Sequence, residues 1–210
     1  MNNLQTLMIK YAQEQEIEIL SCILVQDELT IIIHANNVIK LMHLLHDNHE
    51  LNFEQCVDLC AVDYLLYRKL AHDQIDDNLD ALATKISNNI NYGCRFSVIY
   101  HMLSIKHNWR IRVKALINDN VIPTINSLIN IYSGVNWLER EVYDLFGIDF
   151  IGHPDLRRIL TDYNFIGHPL RKDFPVSGHT EVIYDEIQKK VVYQPITITP
   201  REITPRIIRK

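Results

Sequence analysis

Six of the seven prolines in this chain fall between residues 154 and 205. Proline fixes φ and lacks an amide hydrogen, so that stretch excludes long helices. It is not low in complexity, because Leu156, Ile159, Tyr163, Phe165 and Phe174 stand among the turns, with Phe150 just before them. A segment without regular structure but rich in apolar anchors must bury them on its own domain or on a partner. The chain is therefore expected to divide into a patterned domain, residues 1–147, and an extended arm, residues 148–210.

Periodicity organises the first part. Leu4, Leu7, Met8, Tyr11 and Ala12 predict a helix over 3–15. "IEILSCILVQ" and "LTIIIHA" predict a hairpin, and Asn36 or Asn37 is expected to cap a helix over "VIKLMHLLHDN". "FEQCVDLCAVDYLLY" reads as β-rich, and residues 68–91, polar and acidic, read as a surface insertion or a short solvated helix. "GCRFSVIYHML" and "WRIRVKALI" are the clearest strands. In the second, Trp109, Ile111, Val113 and Ala115 alternate with a basic row of Arg110, Arg112 and Lys114. This order describes an α+β domain with helices on one side of an antiparallel or mixed sheet.

Charge separates along the chain. Residues 1–90 carry 14 acids against 5 bases, and residues 91–210 carry 12 against 16. The second half could present a nucleic-acid face or a docking face for acidic proteins. No apolar run approaches the roughly 20 residues that cross a bilayer. The N-terminus lacks the pattern of a signal or transit peptide, so membrane association is expected to be peripheral. Cys22, Cys56, Cys60 and Cys94 lie among apolar neighbours and are expected to be buried free thiols in a reducing compartment.

Val135, Leu138, Val142 and Leu145 mark one face of a further helix, which Gly147 is placed to end in left-handed geometry. Glu139, Arg140 and Glu141 are consecutive and point about 100° apart, so they cannot all satisfy one another. Arg140 and Asp144 share the i, i+4 spacing, and Arg157, Arg158 and Arg171 are the obvious partners for the remaining acids. The segment "GHPDLRRILTDYNFIGHPLRKDFPVSG" follows. Its His153 and His168, with His179 and Asp155, could in principle bind a metal, but no ligand spacing pins any two together. There is no Gly-x-Ser-x-Gly elbow and no glycine-rich phosphate loop. A turn reading works instead. Gly152–Pro154 and Gly167–Pro169 supply bends around a basic and aromatic clasp, with "PDLRRIL" expected as a short helix.

"NWLEREVYDLFGIDFIGHPDLRRILTDY" and "GHPLRKDFPVSG" resemble the thirty-kilodalton subunit family of respiratory complex I, the proton-pumping NADH:quinone oxidoreductase (the C subunit in bacteria, subunit 9 where mitochondrially encoded). The matching positions are Glu139, Arg140, Glu141, Asp144, Leu145 and Phe146, then His153, Arg157, Ile159 and Asp162. The likeness runs on through 181–195, more loosely back through 95–117, and only in general character over the first 90 residues. Asn164 stands where the family usually has Gly, and a left-handed turn is expected there at small cost.

The resemblance implies a structural subunit with no catalytic residue and no flavin, iron–sulfur cluster or metal of its own; FMN and the clusters belong to the rest of the assembly. It implies a place in the peripheral arm, against three other subunits. These are the forty-nine-kilodalton subunit, the twenty-kilodalton subunit near the quinone site and the twenty-three-kilodalton ferredoxin-like subunit (named D, B and I in bacteria). The side is the cytoplasmic face of a bacterial inner membrane or the matrix face of a mitochondrial one. On this view Arg140, His153, Arg157, Arg158, His168 and Arg171 dock or brace the clasp, and the tail 181–210 is strand-like and lies on a neighbour. Two rivals stand beside it. One is a nucleic-acid-binding module using the basic strand face and basic C-terminus. The other is a metal-dependent enzyme using His153, His168 and Asp155.

Overall fold

A computed structural model describes residues 2–65 and 94–198. The expected insertion at 68–91 and the basic C-terminal end lie outside the described residues. The elements are α1 (Asn2–Glu14), β1 (Ser21–Val25), β2 (Glu28–His34), α2 (Val38–Asp47), β3 (Gln55–Asp63), β4 (Phe96–Ser104) and β5 (Trp109–Ile117). They continue with β6 (Thr124–Asn126), α3 (Val135–Phe146), β7 (Asp149–Ile151), β8 (Thr180–Asp185) and β9 (Lys190–Pro195). Five strands form a mixed sheet in the order β1-β2-β5-β4-β3. Only β2 and β5 run parallel; the other three pairs are antiparallel. This is the α+β architecture the periodicity implies.

Alternation decides which face the helices cover. Ile111, Val113 and Ala115 of β5 are buried, as are Phe96, Val98, Tyr100 and Met102 of β4 and Leu29, Ile31 and Ile33 of β2. They share one core with Leu4 and Met8 of α1, Leu41 and Leu45 of α2, and Val135 and Val142 of α3. Burying this much aliphatic and aromatic surface is the main source of stability, at roughly 1.5–3 kcal/mol per large side chain. The basic row falls on the opposite face as expected. There Arg112 pairs with Glu28 at 2.8 Å and Lys114 lies over the Tyr64 ring.

The entry to α2 differs from expectation. A 3-10 turn, Ala35–Asn37, leads into the helix and no Asn side chain caps it. Asn37 instead donates from Nδ2 to the Glu18 carbonyl. The first strand of the hairpin is also shorter than its apolar run, beginning at Ser21 rather than Ile17, and the chain turns at Gln26 and Asp27. Both have left-handed φ, 50° and 62°, the pair that a two-residue type I′ turn demands. The thiols are free, but only Cys94 is buried while Cys22, Cys56 and Cys60 are half-buried. Burial still pushes Cys22 up to about 11 and Cys56 up to about 12, so neither is a nucleophile at neutral pH.

Beyond β5 the chain builds the site. β6 and β7 pair in parallel with α3 as the connection between them. Ile125, Ile148 and Phe150 are sunk in the main core, so both ends of α3 are anchored. Replacing Gln26-Asp27 by Asn-Gly removes the left-handed strain of the hairpin turn. It should raise stability by about 1 kcal/mol, read as a shifted urea midpoint at constant slope.

Candidate functional site

The three consecutive charges of α3 have three different fates. Glu139 is 0% exposed. It accepts the Ser127 hydroxyl at 2.6 Å and the Leu128 amide at 2.8 Å, and no arginine reaches it among the described residues. The expected pairing of this acid with Arg157 or Arg171 does not occur, since the turn after β6 already supplies its donors. His153 stands beside it, with Nε2 at 4.0 Å from the carboxylate. His153 Nδ1 accepts the Asp155 amide at 3.1 Å, which puts the ring proton on Nε2, facing the Asn136 carbonyl and Glu139. Arg140 turns outward over Trp137, and Glu141 is exposed.

Asp144, also 0% exposed, is the hub. Its Oδ2 accepts the consecutive amides of Ile159, Leu160 and Thr161 at 3.0, 2.7 and 2.9 Å. Oδ1 takes the Thr161 hydroxyl and the Arg158 guanidinium, the latter at 3.1 Å. Five donors converge on one carboxylate. Burial alone would raise its pKa, but the Thr161 hydroxyl and the three amides outweigh that and hold it at about 2. Arg158, not Arg140, is thus the ion-pair partner of Asp144. The short helix expected over "PDLRRIL" is absent, because an amide that donates to Asp144 cannot close a helical turn.

The second Gly-His-Pro turn closes the C-terminal end of α3. A helix ends with carbonyls that lack intrahelical partners, and here nearly every one finds a donor from this turn. His168 Nδ1 holds the Asp144 carbonyl at 2.9 Å and the Leu170 amide holds that of Leu145 at 3.1 Å. Arg171 takes the carbonyls of Phe146 and Gly147 at 2.5 and 3.1 Å. A cation at this end is also favoured by the helix dipole. Gly147 makes the fit possible. Its φ is 67°, and a β-carbon there would collide with His168 and Arg171.

His153 and His168 therefore serve stations about 12 Å apart along the helix axis, each holding a carbonyl, rather than sharing one metal. No group of three or more His, Cys, Asp or Glu able to hold a metal occurs among the described residues. His179 lies against the Phe174 ring, and Arg157 makes an exposed pair with Asp155 at 2.7 Å. The Asp162 side chain is exposed, and its carbonyl accepts the Phe165 amide. Asn164 does not have positive φ, so the expected left-handed turn is not made and Asn stands there without that strain.

Sequence reasoning missed Ser127, Asp63, Arg95 and Asp173. Asp63, at the end of β3, takes Arg95 at 3.0 and 2.8 Å and the Lys172 amide at 3.0 Å. Asp173 then reaches Arg95 at 2.8 Å. This second buried carboxylate ties the same loop to the sheet.

An α+β body whose charged helix buries Asp144 to hold the following arm, and is closed at its C-terminal end by the second Gly-His-Pro turn, defines a clasped module. The comparisons give it a family. Residues 31–180 match the model for the respiratory-chain NADH dehydrogenase, 30 Kd subunit, and the chain belongs to that family. The C subunit of NADH-quinone oxidoreductase from Paraburkholderia xenovorans is 50% identical over 183 residues, covering 87% of this chain and 82% of that protein. Its counterpart from Cupriavidus taiwanensis gives the same figures. A chain of the membrane-bound sulfane sulfur reductase, an archaeal respiratory membrane complex, shares the fold with a TM-score of 0.56 at 20% identity. That match covers 80% of this chain and 84% of the other.

Three outcomes are expected. Asp144→Asn keeps the volume but leaves one acceptor oxygen, so either Arg158 and the Thr161 hydroxyl or the amides of 159–161 face an NH2 group, and it should cost about 3 kcal/mol by urea denaturation. Gly147→Ala should cost about 2 kcal/mol or more, from left-handed strain and the collision with His168. The third concerns pH. Burial raises Glu139 to about 7, against the hydrogen bonds from Ser127 and Leu128. A raised carboxyl contributes stability below its unfolded pKa and loses it as pH rises through the folded value. Stability should therefore decline from about pH 4.5 to 7 by on the order of 3 kcal/mol, and Glu139→Gln should flatten that slope.

Proposed function

We propose that this chain is a non-catalytic structural subunit of the peripheral arm of complex I. It braces the forty-nine- and twenty-kilodalton subunits near the quinone site and contacts the twenty-three-kilodalton subunit. The assembly carries electrons from NADH to quinone on FMN and iron–sulfur clusters held elsewhere. Residues 1–147 form the body and 148–210 the docking arm, on the cytoplasmic or matrix side of the inner membrane. Family membership supports the assembly, and the inward use of Asp144, Arg158, His168 and Arg171 supports a bracing role for them. Among the described residues no helix is long and apolar enough to cross a membrane, consistent with attachment through other subunits.

The observation that carries this reading is the β8–β9 hairpin. Val182 lies opposite Tyr193 and Tyr184 opposite Val191, which puts all four on one face. Each is between 50% and 61% exposed. An isolated two-stranded sheet is marginal in water, and an exposed apolar face of this kind marks a docking surface. Glu181 and Gln194 occupy the other face and bond each other at 2.6 Å, with Thr197 joining Glu181. Ile183 and Val192, paired with each other, lie on that same face as Glu181, so the Val182–Tyr193 face is the more uniformly apolar of the two.

Gentle solubilisation and size separation of native membranes should place the chain in an assembly far larger than 24.7 kDa, together with NADH-oxidising activity. Tyr193→Asp should cut its share in that assembly at least about tenfold. The melting temperature of the body should stay within the shift expected for roughly 0.5 kcal/mol. A chain that migrates away from the activity, or a Tyr193→Asp variant that assembles at wild-type level, would overturn the proposal.

A further inference from the structure

Arg140, Arg157, Arg158 and Arg171 look alike in sequence, but the fold divides them. Arg158 and Arg171 point inward, onto Asp144 and the carbonyls that end α3. Arg140 and Arg157 face out. The Arg140 guanidinium lies over the indole of Trp137, 4.9 Å from its centroid, and Trp137 is 64% exposed. Arg140 Nε donates to the Arg157 carbonyl at 3.0 Å, which fixes the plane of the stack. Arg157 is neutralised by Asp155 at 2.7 Å. Arg140 has no carboxylate within ion-pair distance among the described residues. Glu141, next in sequence, projects about 100° further round the helix.

Such a stack has a definite binding chemistry. The half-buried guanidinium is held over an aromatic face by its Nε bond to the Arg157 carbonyl, with Asp155 within its electrostatic reach but outside ion-pair distance. A fork of this kind matches a carboxylate in two parallel hydrogen bonds. The indole beside it offers a rigid apolar surface, and Tyr163, fully exposed, lies within electrostatic reach of Arg157. Trp, Tyr and Arg are the residues that dominate interface energetics when they cluster.

We propose that the Trp137–Arg140 stack on the outer face of α3 is a docking site for a protein surface that presents an aspartate or glutamate carboxylate beside an apolar side chain. The inference rests on the reading of the chain as a docked subunit and adds a contact separate in sequence from the β8–β9 face. Two contacts on one chain strengthen each other through effective concentration.

Arg140→Lys tests this with chemistry specific to the proposed partner. The substituted amine should form an amide with a touching carboxylate when the solubilised assembly is treated with a zero-length carbodiimide. Mass spectrometry is expected to find a cross-link from position 140 to an Asp or Glu of another chain, absent from the wild type. Trp137→Ala should lower retention in the assembly about tenfold without moving the melting temperature. If the chain co-migrates with the assembly but position 140 joins only Asp155 of its own chain, or nothing, the proposal is wrong. If the chain is in no assembly, the docked-subunit reading fails first and this inference falls with it.

Discussion

The Asp144 carboxylate organises everything after the sheet. Shut off from water and facing five donors, it captures three successive amides, a hydroxyl and a guanidinium from one stretch of the arm. A charge out of water is costly unless paired and hydrogen-bonded, and here the cost is met by the Thr161 hydroxyl, three backbone amides and Arg158 together. The arm cannot drift from α3 without stranding that charge. The second turn then caps the helix it has just been tied to, and Asp63 with Arg95 holds the same loop against the sheet.

That arrangement explains why an irregular, proline-rich segment can have one conformation. Regular structure satisfies backbone groups internally; this segment satisfies them with buried side chains of the body instead. Inward-facing charges do the holding, which leaves the outward surface to Trp137, Arg140, Tyr163 and the hairpin face. On the proposed reading, holding and docking fall to different residues of a single charged motif.

Much of this was legible in the residues. Alternation in 109–117 gave the buried and basic faces of β5, and Gly147 marked the end of α3 with the correct left-handed geometry. The residues around Glu139 to Asp162 carried the family. What the pattern could not show was which partner each charge takes. Backbone amides leave no trace in a sequence, so Asp144 looked like a partner for Arg140, and "PDLRRIL" looked helical by spacing alone. Asp63 and the Lys172 amide meet across 109 positions, a pairing that only the fold brings about. Ser127 was missed because a lone serine in a turn has no signature until a buried acid faces it.

The most direct measurement is amide hydrogen exchange at Ile159, Leu160 and Thr161 in the full-length chain. Their bonds to a buried carboxylate should give protection approaching that of β4 and β5, lost selectively when Asp144 is replaced by Ala, which has no acceptor. Exchange at the rate of an unprotected loop in the wild-type chain would contradict a clasp centred on Asp144.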